Sequence, residues 1–205
     1  MKILMALSCA ALFAATAASA ALADTVVVPG TANPFYAGRQ GTGGDGTVPP
    51  QSTIAVVPGA VITFNVTGAA SFVGGCPDSC YPPDGDGGRY SMTDLDSTTG
   101  IAGLNNEPGA ALIGVFLNDK KPAAGSAPPR RDLAVDGLDF AKLKPKLKQM
   151  FFIGDGRYQA DTGKQKAQRF IVPKGATRLF LAVSDGSGWY NNSGEIDATV
   201  TQTVP

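Results

Sequence analysis

Residues 184–194 read SDGSGWYNNSG and hold the densest set of polar side chains outside one long loop. Asp185, Asn191 and Asn192 bring a carboxylate and two amide oxygens close together. Gly186, Gly188 and Gly194 let the backbone curl, so that its carbonyls can turn inward. Calcium takes about six to eight hard oxygens in a flexible geometry, and such a loop can supply most of that shell. An ordinary Asp/Gly/Asn turn between two strands has the same composition, so both readings stand at this level. Trp189, the single tryptophan, lies beside Tyr190 in this loop. An aromatic at a loop tip is expected outside the core, where the C–H face of a sugar ring can pack on it.

Composition removes many rival chemistries. The chain of 205 residues has no histidine, which excludes Ser-His-Asp and Cys-His catalysis, HExxH zinc helices and histidine-ligated haem. Its 17 basic and 17 acidic side chains cancel, leaving no electrostatic footprint for nucleic acid or an anionic membrane. Asp84, Asp86, Asp94 and Asp96 form a second acidic group, but no terminal glutamate stands at EF-hand spacing, and a solvated acidic loop is expected. Paired carboxylates raise a glycosidase reading. Carboxylates in open glycine-rich loops lack the apolar setting that makes a general acid, so no enzyme is expected. Glu107 and Glu195, the only glutamates, stand in no evident constellation. The lysine run at 142–148 reads as a solvated helix face, and the sequons at Asn65 and Asn191 are discounted in a chain with a bacterial-type leader.

The elements that would hold the loop come next. Met1 and Lys2 precede an apolar run and two A-x-A cleavage sites, which predicts a secretory signal peptide over 1–23 and a mature domain over 24–205. The product would be secreted or periplasmic, without a membrane span. In an exported chain, Cys76 and Cys80 are expected to form a small disulfide, since a zinc site would lack further ligands. Glycine (26) and proline (15) break the rest into short apolar runs. Strands are expected over 52–57, 61–66, 110–117, 150–153, 169–172, 178–183 and 196–201, with loops over 29–51 and 68–103. One short helical patch, limited by Pro145, is expected over 138–147. The fold class is all-β, a single β-sandwich or jelly-roll domain with long loops.

Residues 172–201, VPKGATRLFLAVSDGSGWYNNSGEIDATVT, together with 52–54, 58–63 and 68–72, resemble the bacterial galactophilic lectins, the LecA-like or PA-I-like domains. The match covers about a third of the chain at both ends of the domain, and Asn-Asn-Ser-Gly with its upstream Asp is its most specific element. The resemblance implies a Ca2+ ion that itself holds two sugar hydroxyls. It assigns Asp185 to both metal and sugar, Asn191 and Asn192 to the paired asparagine ligands, and Phe72 to a backbone carbonyl ligand. A second loop carbonyl falls to Gly188 or Trp189, because this loop is about one residue shorter than in the founding lectin. That lectin grips its sugar with a histidine in the long loop; here residues 74–92 carry the cysteines and an aspartate–glycine run instead. Calcium binding therefore transfers better than galactose preference. The leading expectation is a calcium-dependent carbohydrate-binding domain, its sugar and any homo-oligomeric state open. The alternative is a structural or surface-interaction domain in which calcium only stabilises loops.

Overall fold

The computed structural model describes residues 21–41 and 44–204. Among the described residues thirteen strands form: β1 Ala21–Pro29, β2 Val61–Ser71, β3 Tyr90–Ser91, β4 Leu104–Glu107, β5 Leu112–Leu117, β6 Arg131–Asp132, β7 Lys142–Leu143, β8 Met150–Phe152, β9 Arg157–Gln159, β10 Gln165–Ala167, β11 Arg169–Ile171, β12 Arg178–Val183 and β13 Ser193–Thr203. A five-stranded sheet in the order β1-β13-β2-β11-β7 faces a three-stranded sheet in the order β12-β5-β8. The chain is an all-β sandwich. A small sheet, β3-β4-β6, touches β8 through β4, and the hairpin β9–β10 touches β2.

Sequence pattern and layer agree. In β2 the side chains of Ile62, Phe64 and Val66 point inward at alternate positions, as a half-buried strand requires. β5 (LIGVFL) is buried at every position. It is the middle strand of its sheet, and the 3-10 turn Pro34–Tyr36 packs on it and on β12, covering the face away from the sandwich. A chain of rings joins the two layers: Phe64 to Phe170 at 5.1 Å, Phe170 to Phe151 at 5.4 Å, and Phe151 to Phe116 at 5.1 Å. Each such side chain contributes about 1.5–3 kcal/mol by leaving water. Gly114 makes room for this stack, because a Cβ there would lie 2.6 Å from the Phe151 ring.

Two expectations are corrected, and one expected boundary falls inside a strand. Residues 138–147 are not helical: Leu143 in β7 pairs in parallel with Phe170 of β11, and this sheet register overrides the weak helical spacing ahead of Pro145. The helices that do form are α1 Asp96–Thr99 and α2 Leu133–Asp136, one turn each. Residues 52–57 run alongside β12 through isolated bonds, Ser52 N to Leu179 O at 2.9 Å and Val56 N to Thr177 O at 3.2 Å, without becoming a strand. At the amino end, the expected signal segment lies outside the described residues up to position 20. Ala21, Leu22 and Ala23, assigned above to the leader, open β1 and pair with Thr203, Gln202 and Thr201. Among the described residues no helix is long and apolar enough to cross a membrane.

Candidate functional site

The loop between β12 and β13 is pinned from three directions. Ser184 donates its backbone N–H to Ala111 O at 2.8 Å, accepts from Ala111 N on its hydroxyl at 2.9 Å, and donates that hydroxyl to Pro108 O. Asp185 therefore leaves the sheet beside the corner between β4 and β5. The next carbonyl, Gly186 O, accepts from Thr93 N at 2.8 Å. Gly188 then adopts a left-handed conformation (φ 88°), and the chain turns through the 3-10 segment Trp189–Asn191 into β13.

Residues 30–47 close the third side. Asp45 accepts from Gly188 N and Tyr190 N, both at 3.4 Å, and Asn192 donates its amide N–H to Gly30 O at 3.1 Å. Gly46 (φ +89°) must be glycine here, because a Cβ would sit 2.6 Å from Trp189 Cβ and 2.5 Å from Thr31 O.

Trp189 overturns its sequence reading. Its side chain is fully buried, its indole N–H donates to Val183 O at 2.8 Å, and Phe35 meets its ring edge-on at 6.0 Å. It is a core anchor under the loop, with no ring face free for a sugar. The tip points its tryptophan inward because the segment around Phe35, read from sequence only as loop, supplies an apolar floor. Tyr190, 70% exposed, is the aromatic that faces solvent.

The other expected site residues separate into two groups. Asp185 (5% exposed) and Asn192 (7%) are buried side by side, while Asn191 is exposed with its amide over Gly188. Phe72 follows Ser71, which pairs with Ser193, so Phe72 and Asn192 occupy the next position in register. The Phe72 ring packs on Tyr81 and Tyr90, each at 5.6 Å. Cys76 and Cys80 form the disulfide, with a Cα–Cα distance of 5.1 Å. It lies over the start of β13, where Cys76 N donates to Ser193 Oγ at 3.1 Å.

The acidic group at 84–96 is dispersed and engaged. Asp84 accepts from Asp155 N, Asp86 accepts from Gly88 N, Gly109 N and Tyr90 OH, and Asp96 binds the Arg130 guanidinium through both oxygens at 2.8 Å. Asp94 lies 3.7 Å from the same guanidinium. No group of three or more His, Cys, Asp or Glu residues is placed to hold a metal among the described residues.

Two carboxylates that the sequence reading left outside the loop stand against it. Asp45 holds the loop backbone from outside. Glu107, the last residue of β4, is wholly buried. Its burial was foreshadowed only by its place just ahead of a continuous apolar run. Four oxygens here are buried without a hydrogen-bond partner: Asp185 Oδ2, Asn192 Oδ1 and both carboxylate oxygens of Glu107. Burial pushes the Asp185 carboxyl up to about 6, against the Ser187 amide and the Asn192 side chain, and Asp45's charge adds to the push. Burial likewise pushes Glu107 up to about 8, with the Arg130 charge opposing and the Asp185 charge adding to the rise. Buried oxygens without donors are what a hard cation requires, so the calcium implied by the resemblance fits the Asp185–Asn192 pair.

No family model and no curated protein matches the chain. Among solved structures it is similar to an "EclA N-terminal domain; PllA-like lectin", at 15% identity and a TM-score of 0.42, over 87% of this chain and 95% of that one.

Proposed function

We propose that the protein is an exported calcium-dependent carbohydrate-binding domain of LecA-like type. Asp185 and Asn192 hold the ion, backbone oxygens near Phe72 and Gly188 complete its shell, and Asn191 borders the open side. The observation that carries this reading is the pair of partnerless buried oxygens, Asp185 Oδ2 and Asn192 Oδ1, at the motif that carries the resemblance. Leaving either one unmatched costs about 1–3 kcal/mol, more for the charged group, and a bound cation relieves both. The ion in turn would hold sugar hydroxyls, with Asp185 accepting from one of them.

Binding is favoured over turnover by access. Glu107 has no exposed surface and cannot deliver a proton to a glycosidic oxygen outside the loop, which leaves Asp185 without a second carboxylate to share acid and base roles at the sugar. The test is a glycan array read with calcium and again with chelator. Glycan signals that vanish with chelator support the reading; chelator-insensitive signals, or turnover of a glycoside panel, contradict it.

One observation favours a second reading, in which calcium only rigidifies loops and the domain binds another macromolecule. Burial of Trp189 removes the stacking platform expected for a sugar. Calcium binding with no glycan hit on the array would select this alternative.

A further inference from the structure

We infer that Glu107 is a ligand of the same cation, so that the site takes one divalent ion between two carboxylates from separate parts of the fold, Glu107 at the β4–β5 corner and Asp185 in the β12–β13 loop. This rests on the calcium reading above and changes the charge, the ligand set and the mechanical consequence of the site.

Adjacency comes first. Pro108, which follows Glu107, is hydrogen-bonded through its carbonyl to Ser184, which precedes Asp185. A second bond, Ala110 N to Ser184 O at 2.9 Å, locks the two segments. From the far side, β3 pairs Tyr90 with Glu107, and Thr93 just beyond it binds Gly186.

Demand for a partner comes second. Both Glu107 oxygens are buried without a donor, and with Asp185 Oδ2 they are the only carboxylate oxygens in that condition among the described residues. Arg130 is committed to Asp96, Met92 O and Thr93 O and donates to neither Glu107 oxygen. Two neighbouring buried carboxylates with no cationic side chain to neutralise them call for protons or a metal ion. The backbone around Glu107 is also held in an unusual shape: Asn106 (φ 57°) and Ala110 (φ 61°), two of the three non-glycine residues with positive φ among those described, stand on either side.

Two carboxylates neutralise a divalent cation, where Asp185 alone leaves a net positive charge, and affinity for calcium rises with the count of charged ligands. The same ion would tie the small β3-β4-β6 sheet to the lectin-like loop, so that losing it loosens both.

Calcium titrations by calorimetry on the full-length mature protein test this, with the melting temperature of each variant taken in chelator to verify folding. Glu107→Gln removes the charge at nearly constant shape, and Glu107→Asp keeps the charge but shortens the reach. Calcium affinity reduced tenfold or more in both, with the metal-free melting temperature of Glu107→Gln unchanged or raised, is the expected result. If only one variant folds, its affinity alone decides. Wild-type affinity in either variant, while Asp185→Asn loses binding, overturns the role of Glu107 and leaves the calcium reading intact. No calcium binding by the wild-type protein overturns both.

Discussion

At the scale of single residues, the proposed site turns on Asp185, Asn192 and Glu107, and their environment makes distinct predictions. Asp185→Asn should weaken calcium by at least tenfold in a calorimetric titration, since it removes a charged ligand at constant shape. In the metal-free protein both acids hold their protons more tightly folded than unfolded. The stability of the chelated protein should therefore be greatest below the ordinary values of 3.8 and 4.5, and fall as pH rises through about 6 for Asp185 and about 8 for Glu107. Calcium reverses the trend, because its ligands must be deprotonated and its affinity climbs over the same window. Urea unfolding midpoints at pH 5 and pH 8, with and without chelator, check this; a chelated protein more stable at pH 8 contradicts it. Trp189→Phe should cost about 1–3 kcal/mol in the same assay, since it leaves the buried Val183 carbonyl without its indole donor. Tyr190→Ala should leave stability and calcium affinity unchanged, being exposed, and lower glycan binding if the loop tip meets the sugar. The closeness of Asp185 and Asn192 was legible in the sequence because one short loop carries both. Glu107 and Asp45 were not, since they arrive from segments about eighty and one hundred and forty residues away, brought there by strand pairing. Trp189 was misread because a loop tip says nothing of the floor beneath it.

At the scale of elements, the strands with β-branched or continuous apolar runs, β2, β5, β11, β12 and β13, were visible in the sequence to within a few residues. The short pieces were not. β3, β4, β6 and β7 depend on pairing partners far along the chain, and nothing in a two- to four-residue stretch announces them. β1 was overlooked because the leader reading absorbed its first residues, although Thr25 to Val28 carry strong strand propensity. Its register has a consequence for processing. Of the two A-x-A sites, cleavage after Ala20 keeps all nine residues of β1, whereas cleavage after Ala23 removes three that pair with the end of β13. Amino-terminal sequencing of exported protein should therefore begin at Ala21. A start at Asp24 would show that those pairs are dispensable. The loop is equally dependent on its cover: Gly46→Ala forces a left-handed alanine and a contact of 2.6 Å with Trp189 Cβ. It should destabilise the protein by about 1–3 kcal/mol, read as a lower urea midpoint.

At the scale of the whole molecule, the sandwich brings the residues of the proposed site to one edge. The five-stranded sheet contributes the start of β13 and the end of β2, the three-stranded sheet contributes the end of β12, and the small sheet contributes Glu107. An ion bound there joins all three, so its effect should be global rather than confined to a loop. A ligand that binds only the folded state adds about 2.7 kcal/mol at a hundredfold excess over its dissociation constant, a rise of roughly 5–10 °C for a domain of this size. The direct measurement is the melting temperature of the mature domain, stripped with chelator and then returned to millimolar calcium, with magnesium as control. The account predicts a calcium-specific rise of several degrees that Asp185→Asn abolishes. An unchanged melting temperature at saturating calcium would contradict it, leaving the Asn-Asn loop as a turn between two strands and Glu107 as a buried protonated acid.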